Sequence, residues 1–169
     1  MGIGAILNRK KTTDYYWRLR QKAKYTSLRP LRMWYRLRHQ AYLEKYGGSI
    51  GLDTHFIGKP VFPHGFQGVF ISEGATIGRN CVIFHQVTIG SNTLPDTKRP
   101  GSPTIGDNVY IGAGAKIIGS IRVGNNVRIG ANCVVTRDIP DNATVVLENP
   151  RVILRDTPRD NRYIPFERK

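Results

Sequence analysis

The sequence predicts an all-β solenoid, a parallel β-helix of hexapeptide repeats, preceded by a short α-helical N-terminal arm. Three observations predict it. Aliphatic residues recur every six positions: Ile71, Ile77, Ile83 and Ile89, then, after a break, Ile105, Ile111, Ile117, Val123, Ile129 and Val135. Four residues after each stands another small or apolar side chain, from Ala75 and Cys81 to Cys133 and Ile139. Gly and Asn punctuate the corners, as in Gly78-Arg79-Asn80, Gly106-Asp107-Asn108 and Gly124-Asn125-Asn126. A period of six matches neither a helix nor a continuous strand; it fits a short strand plus a corner, repeated. β-Branched aliphatics pack inward from pleated strands, and Gly and Asn take backbone conformations that other residues avoid. No single hexad buries its apolar side chains, whereas stacked coils bury a continuous column. A β-sandwich would show two-residue alternation and less regular turns instead.

Taken in order, residues 1–47 form a basic, aromatic, helical arm. Leu31, Tyr35, Tyr42 and Tyr46 share one face, with Trp34, Leu37 and Ala41 beside it, and His39 falls on the polar face. Pro30 suits the first turn of a second helix, so the arm breaks near 28–30, and Gly47-Gly48 ends it. Residues 48–153 form the β-helix. Its hexad phase slips at Pro63-His64-Gly65-Phe66-Gln67-Gly68. Near 92–104, three prolines and the Lys98-Arg99 pair interrupt the count and predict a projecting loop, a common place for function on a rigid scaffold. Residues 154–169 read as a C-terminal tail.

The net charge of +14 is unevenly placed: residues 1–47 hold twelve of the 26 Lys and Arg against only Asp14 and Glu44, and eight aromatic side chains. Such an arm suits three partners. Its aromatic stripe can pack on the β-helix or a neighbouring subunit. Its basic face can meet an anionic membrane surface. Basic residues among aromatics also permit nucleic-acid binding, but no recognised nucleic-acid fold accompanies them, and no nucleic-acid partner is expected. Cys81 and Cys133 occupy small inward slots and read as buried apolar residues, in keeping with a reducing compartment. No apolar run reaches the length of a membrane span, and Met1–Leu7 is too short for a secretory signal. The expected location is cytoplasmic, with peripheral contact at the inner face of the membrane through residues 1–47.

Only four His are present: His39, His55, His64 and His85. There is no Gly-x-Ser-x-Gly elbow, Walker loop or dinucleotide fingerprint. His64 sits in an irregular, Gly-flanked corner and is the candidate general base for a hydroxyl proton. His85 is third in its hexad, an outward position, and is either a substrate contact or a surface or interface polar residue. His55 reads as structural. Lys98 and Arg99 could meet a phosphorylated ligand.

Several segments carry a family resemblance. They are Pro63-His64-Gly65-Phe66-Gln67-Gly68-Val69-Phe70-Ile71, Val87-Thr88-Ile89-Gly90-Ser91-Asn92, Pro103-Thr104-Ile105-Gly106 through Ile117-Ile118-Gly119, and Ile129-Gly130-Ala131-Asn132-Cys133 with the Asp138-Ile139-Pro140-Asp141-Asn142 exit. Over residues 50–153 the chain resembles the hexapeptide-repeat acyltransferases, within them the serine acetyltransferase-like group that includes many polysaccharide O-acetyltransferases. The resemblance implies a left-handed β-helix with three hexads per triangular coil, assembled as a homotrimer. It implies acetyl-CoA as co-substrate, held in a groove between subunits, and no metal. A His activates the acceptor hydroxyl for direct attack on the thioester in a ternary complex. By motif position His64 matches that catalytic His. Gly112, Ala113, Gly114 and Ala115, with Ala131 one coil on, match the run that lines the CoA arm. Gly90, Ser91 and Asn92 match the turn near the thioester. Lys116 and Arg137 are candidates for the CoA phosphates.

Serine acetyltransferases carry a second active-site His in the projecting loop, where this chain reads Lys98-Arg99-Pro100-Gly101-Ser102-Pro103, and an Asp that orients the catalytic imidazole. Asp53 is a candidate for that partner at shorter spacing, and Glu73 is another. Their long N-terminal helical domain is replaced by the basic arm. These departures point to the hydroxyl of a sugar or polysaccharide precursor as acceptor, with L-serine as the alternative. Two other readings use the same scaffold. One is a zinc enzyme resembling gamma-class carbonic anhydrases, with His55, His64 and His85 as its supply of ligands. The other is a non-catalytic trimeric scaffold or anionic-surface binder.

Overall fold

The structure, a computed structural model, describes residues 3–148, 152 and 154, with side chains from residue 12 onward. Residues 155–169 of the expected tail lie outside the described residues, as does most of the exit after Glu148. Two helices come first, α1 (Ile3–Tyr25) and α2 (Arg29–Glu44), broken where Pro30 enters the first turn of α2. Thirteen strands of two or three residues follow among the described residues, all pairing in parallel.

The strands fall into three sheets. One contains β1 (Ser49–Ile50), β3 (Phe70–Ile71), β6 (Thr88–Gly90), β9 (Lys116–Ile118) and β12 (Val134–Val135). The second contains β2 (His55–Phe56), β4 (Thr76–Ile77), β7 (Thr104–Ile105) and β10 (Arg122–Val123). The third contains β5 (Val82–Ile83), β8 (Tyr110–Ile111), β11 (Arg128–Ile129) and β13 (Thr144–Val145). From β3 to β12 the chain visits the three sheets in rotation, and an isolated Val123–Ile139 bridge marks the second face before β13, so it is a parallel β-helix of three faces. The regular coil has eighteen residues, three hexads, as between Phe70 and Thr88 or Lys116 and Val134.

The hexad aliphatics stack inside as columns. Ile77, Ile83, Ile89, Ile111, Ile117 and Ile129 are fully buried, and Cys81 and Cys133 are buried free thiols among them. Each inward Ile or Val contributes about 1.5–3 kcal/mol on burial, which two-residue strands could not gain alone. At one corner the backbone turns through positive φ at Asn80, Asn108, Asn126 and Asn142. Their amides run as a ladder, each Nδ2 donating to the next Oδ1 at 2.9 Å. Asn tolerates this conformation better than most residues and bonds its neighbours there.

The arm is part of the core rather than a free appendage. α1 and α2 form an antiparallel pair: Tyr42 Oη donates to Thr12 O at 3.0 Å, and Lys22 lies over the Tyr35 ring. Tyr16 packs on Phe66, Trp17 packs edge-on against Phe56, and both belong to the same apolar cluster as the coils. Arg20, only 6% exposed, donates to Gly51 O at 2.7 Å and Thr54 O at 2.6 Å. A solenoid needs such a cap, because its first coil has no predecessor to cover its apolar end. His39, expected on the polar face, is instead buried against the Tyr16 ring. The helix turns that face toward α1 and the first coil, so the polar side chain goes in with it.

Two consequences can be measured. Burial, aided by the nearby Arg20 charge, lowers the His39 pKa to about 4. The unfolded imidazole titrates near 6.5, so the unfolded chain binds more protons between the two values. Stability should be full above pH 6.5 and fall as the pH drops toward 4, by up to about 2 kcal/mol at pH 5. Urea melts of the wild type and of His39→Phe should diverge in this sense, and parallel pH profiles would show that His39 is not the source. Gly112 has a coil above it: a Cβ there would lie 2.7 Å from Ala131 N. Gly112→Ala should therefore cost about 2 kcal/mol or more in the ligand-free protein. An unchanged melting temperature would mean that this glycine answers to something other than coil stacking.

Candidate active site

The site is built by the corners that lead from the third sheet to the first. In successive coils these are Pro63–Gly68, which follows the isolated Val61–Val82 bridge, and Phe84–Val87, Gly112–Ala115 and Gly130–Cys133, which lie between strands of those two sheets. They are stitched in a column: Gln86 N donates to Gln67 O at 2.8 Å, Gly114 N to His85 O at 3.0 Å, and Asn132 N to Ala113 O at 2.8 Å.

The first of these corners carries three residues more than a regular coil. Ser49 pairs with Phe70, His55 with Thr76 and Val61 with Val82, an offset of twenty-one rather than eighteen. That offset sets His85 beside His64. Their rings stack with centroids 4.7 Å apart, and His64 Nδ1 lies 2.8 Å from His85 Nδ1. Phe84 meets the His64 ring edge-on, and Tyr110 of the next coil packs on Phe84. Both imidazoles are half-buried.

In such a contact one Nδ1 donates and the other accepts. If His64 donates, its Nε2 carries a lone pair and can accept a proton. The positive charge that results is then met by the lone pair of His85 Nδ1. That is the part a carboxylate plays beside a catalytic imidazole. The carboxylates expected to play it stand elsewhere. Asp53 is largely exposed, with its Oδ1 3.4 Å from Lys24 Nζ on α1. Glu73 is exposed at the first-coil end of the fold, beside Gly51. Among the described residues, the ring hydrogen bond of His64 goes to His85 and not to a carboxylate.

The remaining candidates lie along the same column or at the next corner. Gly112, Ala113, Gly114 and Ala115 continue the stack beyond His85, and Ala131 is one coil further on. The small size of Gly112 and Gly114 has a source inside the fold. Gly112 abuts the Ala131 backbone, while Gly114 holds φ +73° against the Asn132 amide. Ala113 and Gly114 are half-buried, so this strip of backbone still faces outward. Lys116 Nζ donates to Gln86 O at 2.6 Å, which ties the side chain along the column. Arg137 is exposed beyond β12.

Gly90, Ser91 and Asn92 lead into the projecting loop. Its neck closes by reciprocal 2.9 Å bonds between Asn92 and Gly101, and by a 2.7 Å Ser91–Ser102 hydroxyl contact. The loop adds ten residues to its coil, so Thr76 pairs with Thr104 and Thr88 with Lys116. Lys98 is exposed. Arg99 is committed within the chain, 2.7 Å from Asp138. The Asp138 carboxyl is held below the usual range, first by the Arg122 N–H and then by Arg99.

Sequence reasoning missed two features. One is the His64–His85 contact. The other is Gln86, which takes φ +58° beneath Gly68 and whose carbonyl receives Lys116. The first follows from a coil of twenty-one residues, a length that the strand pairing supplies and the hexad count does not. Among the described residues, no group of three or more His, Cys, Asp or Glu is placed to hold a metal ion.

Known proteins resemble this chain over its coils. Residues 102–137 match the family described as Bacterial transferase hexapeptide (six repeats). A serine acetyltransferase of Synechococcus elongatus is 42% identical over 113 residues, which are 64% of this chain and 46% of that protein. One from Staphylococcus aureus is 42% identical over 123 residues, 68% of this chain and 57% of that protein. The crystal structure of Neisseria gonorrhoeae serine acetyltransferase in complex with serine superposes with a TM-score of 0.64 at 28% identity, covering 85% of this chain and 57% of that one. The chain thus spans about half the length of the curated relatives it matches. With its hexad-built coils and matching repeats the chain belongs to the hexapeptide-repeat transferase family, and its relatives are consistent with the serine acetyltransferase-like group.

Proposed function

We propose that this protein is a CoA-dependent O-acetyltransferase in which His64 is the general base and His85 orients it. The observation that carries the reading is the Nδ1–Nδ1 contact at 2.8 Å, at the head of a column of small-residue corners. Nε2 of His64 removes the acceptor hydroxyl proton as the oxygen attacks the thioester carbon. The C–S bond then breaks, CoA leaves as the thiol with the proton returned by His64, and the acceptor leaves as an ester. His85 keeps Nδ1 of His64 protonated and aimed, and its own position is fixed by the Gly114 N–H on its carbonyl. The outward backbone at Ala113–Gly114, with Lys116 and Arg137, is suited to an extended pantetheine and its phosphates. The family resemblance supports a left-handed wind and a homotrimer whose grooves complete this site.

Relatives named serine acetyltransferase support L-serine as acceptor ahead of the sugar or polysaccharide hydroxyl expected from the loop. The sugar reading keeps two footholds, the absence of His from Lys98–Pro103 and of a carboxylate on the His64 ring nitrogen that meets His85. A thiol-release assay with acetyl-CoA should give turnover with L-serine, and turnover only with activated sugars would reverse the order. His64→Ala should lower kcat by about two to four powers of ten. Wild-type turnover in that variant would remove His64 from the chemistry. His85→Ala should lower kcat by roughly tenfold or more with little change in KM. His85→Gln, whose amide oxygen can accept the same hydrogen, should recover part of the loss. Equal kcat in all three proteins would leave His85 a packing residue.

A further inference from the structure

α2 carries two apolar faces, and the fold uses one. His39 and Leu43 are buried, and Tyr35 and Tyr42 half-buried, on the side that meets α1 and the coils. On the opposite side Pro30, Met33, Trp34, Leu37 and Ala41 fall at i, i+3, i+4, i+7 and i+11, the spacing of one helix face. All five are exposed, with Met33 at 57%, Trp34 at 47% and Leu37 at 61%. Among the described residues only the Tyr35 ring and the Arg38 guanidinium meet Trp34, and Met33 and Leu37 remain mostly bare. Trp34 also borders a cleft of about 500 Å³ between α1 and α2, lined with Tyr15, Arg18, Lys22, Tyr35 and Arg38. Every charge lining that cleft is positive. Arg38 lies over the Trp34 ring at 4.8 Å, and Arg29 and Arg36, both exposed, flank the stripe's other edge.

We infer that this face docks on the surface of an anionic phospholipid bilayer. The apolar stripe enters the acyl boundary, Trp34 sits at the interface, and Arg18, Lys22, Arg29, Arg36 and Arg38 meet the headgroup phosphates. The pattern fits a helix that lies in the membrane plane, apolar on one side from Pro30 to Ala41 and cationic at its edges, with the exposed Glu44, which accepts from Gln40 Nε2, ending the stripe. No helix among the described residues is long and apolar enough to cross a membrane, so the contact is peripheral. Charge decides against the other occupants of an apolar face. A second copy would bring two arms of the same strong positive charge together. A polynucleotide would satisfy the cations but leave Met33 and Leu37 without a partner. This inference does not depend on the acetyl-transfer reading, because none of these residues belongs to the His64 column.

Co-sedimentation of the full chain with phosphatidylcholine vesicles, with and without phosphatidylglycerol, tests it. The wild type should pellet with the anionic vesicles and remain in solution with the zwitterionic ones. Its tryptophan emission should shift to the blue, and Trp34→Phe should lose the shift because Trp17 is already buried. Charge reversal at Arg18 and Lys22 should weaken partition by at least about fivefold per cation. Met33→Asp with Leu37→Asp should weaken it by at least tenfold, on the scale of two apolar side chains withheld from lipid. These positions are exposed, so far-UV circular dichroism and acetyl transfer in solution should match the wild type. Equal pelleting with both vesicle types would overturn the proposal, as would wild-type partition by the Met33/Leu37 variant. So would a polynucleotide that strips both proteins equally from the vesicles. A fall in oligomer mass in the Met33/Leu37 variant, with no vesicle binding by either protein, would assign the face to a second copy instead.

Discussion

Everything in this protein depends on coil-to-coil register. A strand of two residues has no stability of its own; it persists because the backbone above and below it bonds to it and its inward aliphatic lands on another. Eighteen residues return the chain to the same place on the triangle, as between Thr104 and Arg122 or Tyr110 and Arg128. Any coil of another length must place its surplus outside the stacked hexads. The three extra residues before Val69 and the ten extra before Thr104 both do so, at the two corners that bound the first sheet. The candidate site lies between these two departures from the count. Irregularity on a rigid scaffold is where side chains can be aimed at something other than the core.

The two ends of the column pose the opposite problem. At its start there is no preceding coil, and the helical pair supplies one. Tyr16, Trp17 and Phe66 fill the apolar end, while the Arg20 guanidinium takes the Gly51 and Thr54 carbonyls. A buried cation is costly unless its donors are met, and here two backbone oxygens and the Phe56 face meet it. The basic arm therefore has a structural half and an open half. One face of α2 is consumed in closing the solenoid, which is why the apolar stripe on the other stands out.

Glycine along the candidate CoA edge illustrates how two demands coincide. Gly112 and Gly114 are required by the coils themselves, since a Cβ at either would meet the residues of the next turn. The same bareness leaves main chain accessible at Ala113 and Gly114, and an extended ligand could use it. Coil stacking accounts for glycine at these positions, and the proposed binding would ask for the same residue type, so sequence alone could not separate the two demands.

Much of the architecture was legible from periodicity, because the hexad is both the unit of sequence and the unit of packing. Ile77, Ile83 and Ile89 announced their burial, and the prolines around Lys98 announced the loop. His64 was legible as an irregular corner. Its partner was not, because a chain position acquires a neighbour only after coil length is known. The slip that seemed a local irregularity lengthens that coil to twenty-one residues, and this length places His85 against His64 while leaving Asp53 with Lys24. His39 was misplaced for a related reason: helical spacing defines faces, but only the packing of α1 and the first coil chose which face went inside. The sequence by itself determined the repeating coil and its inward columns, a matter of local period. Tertiary structure alone decided which imidazole meets which and which helix face stays bare, because those contacts join residues that no period links.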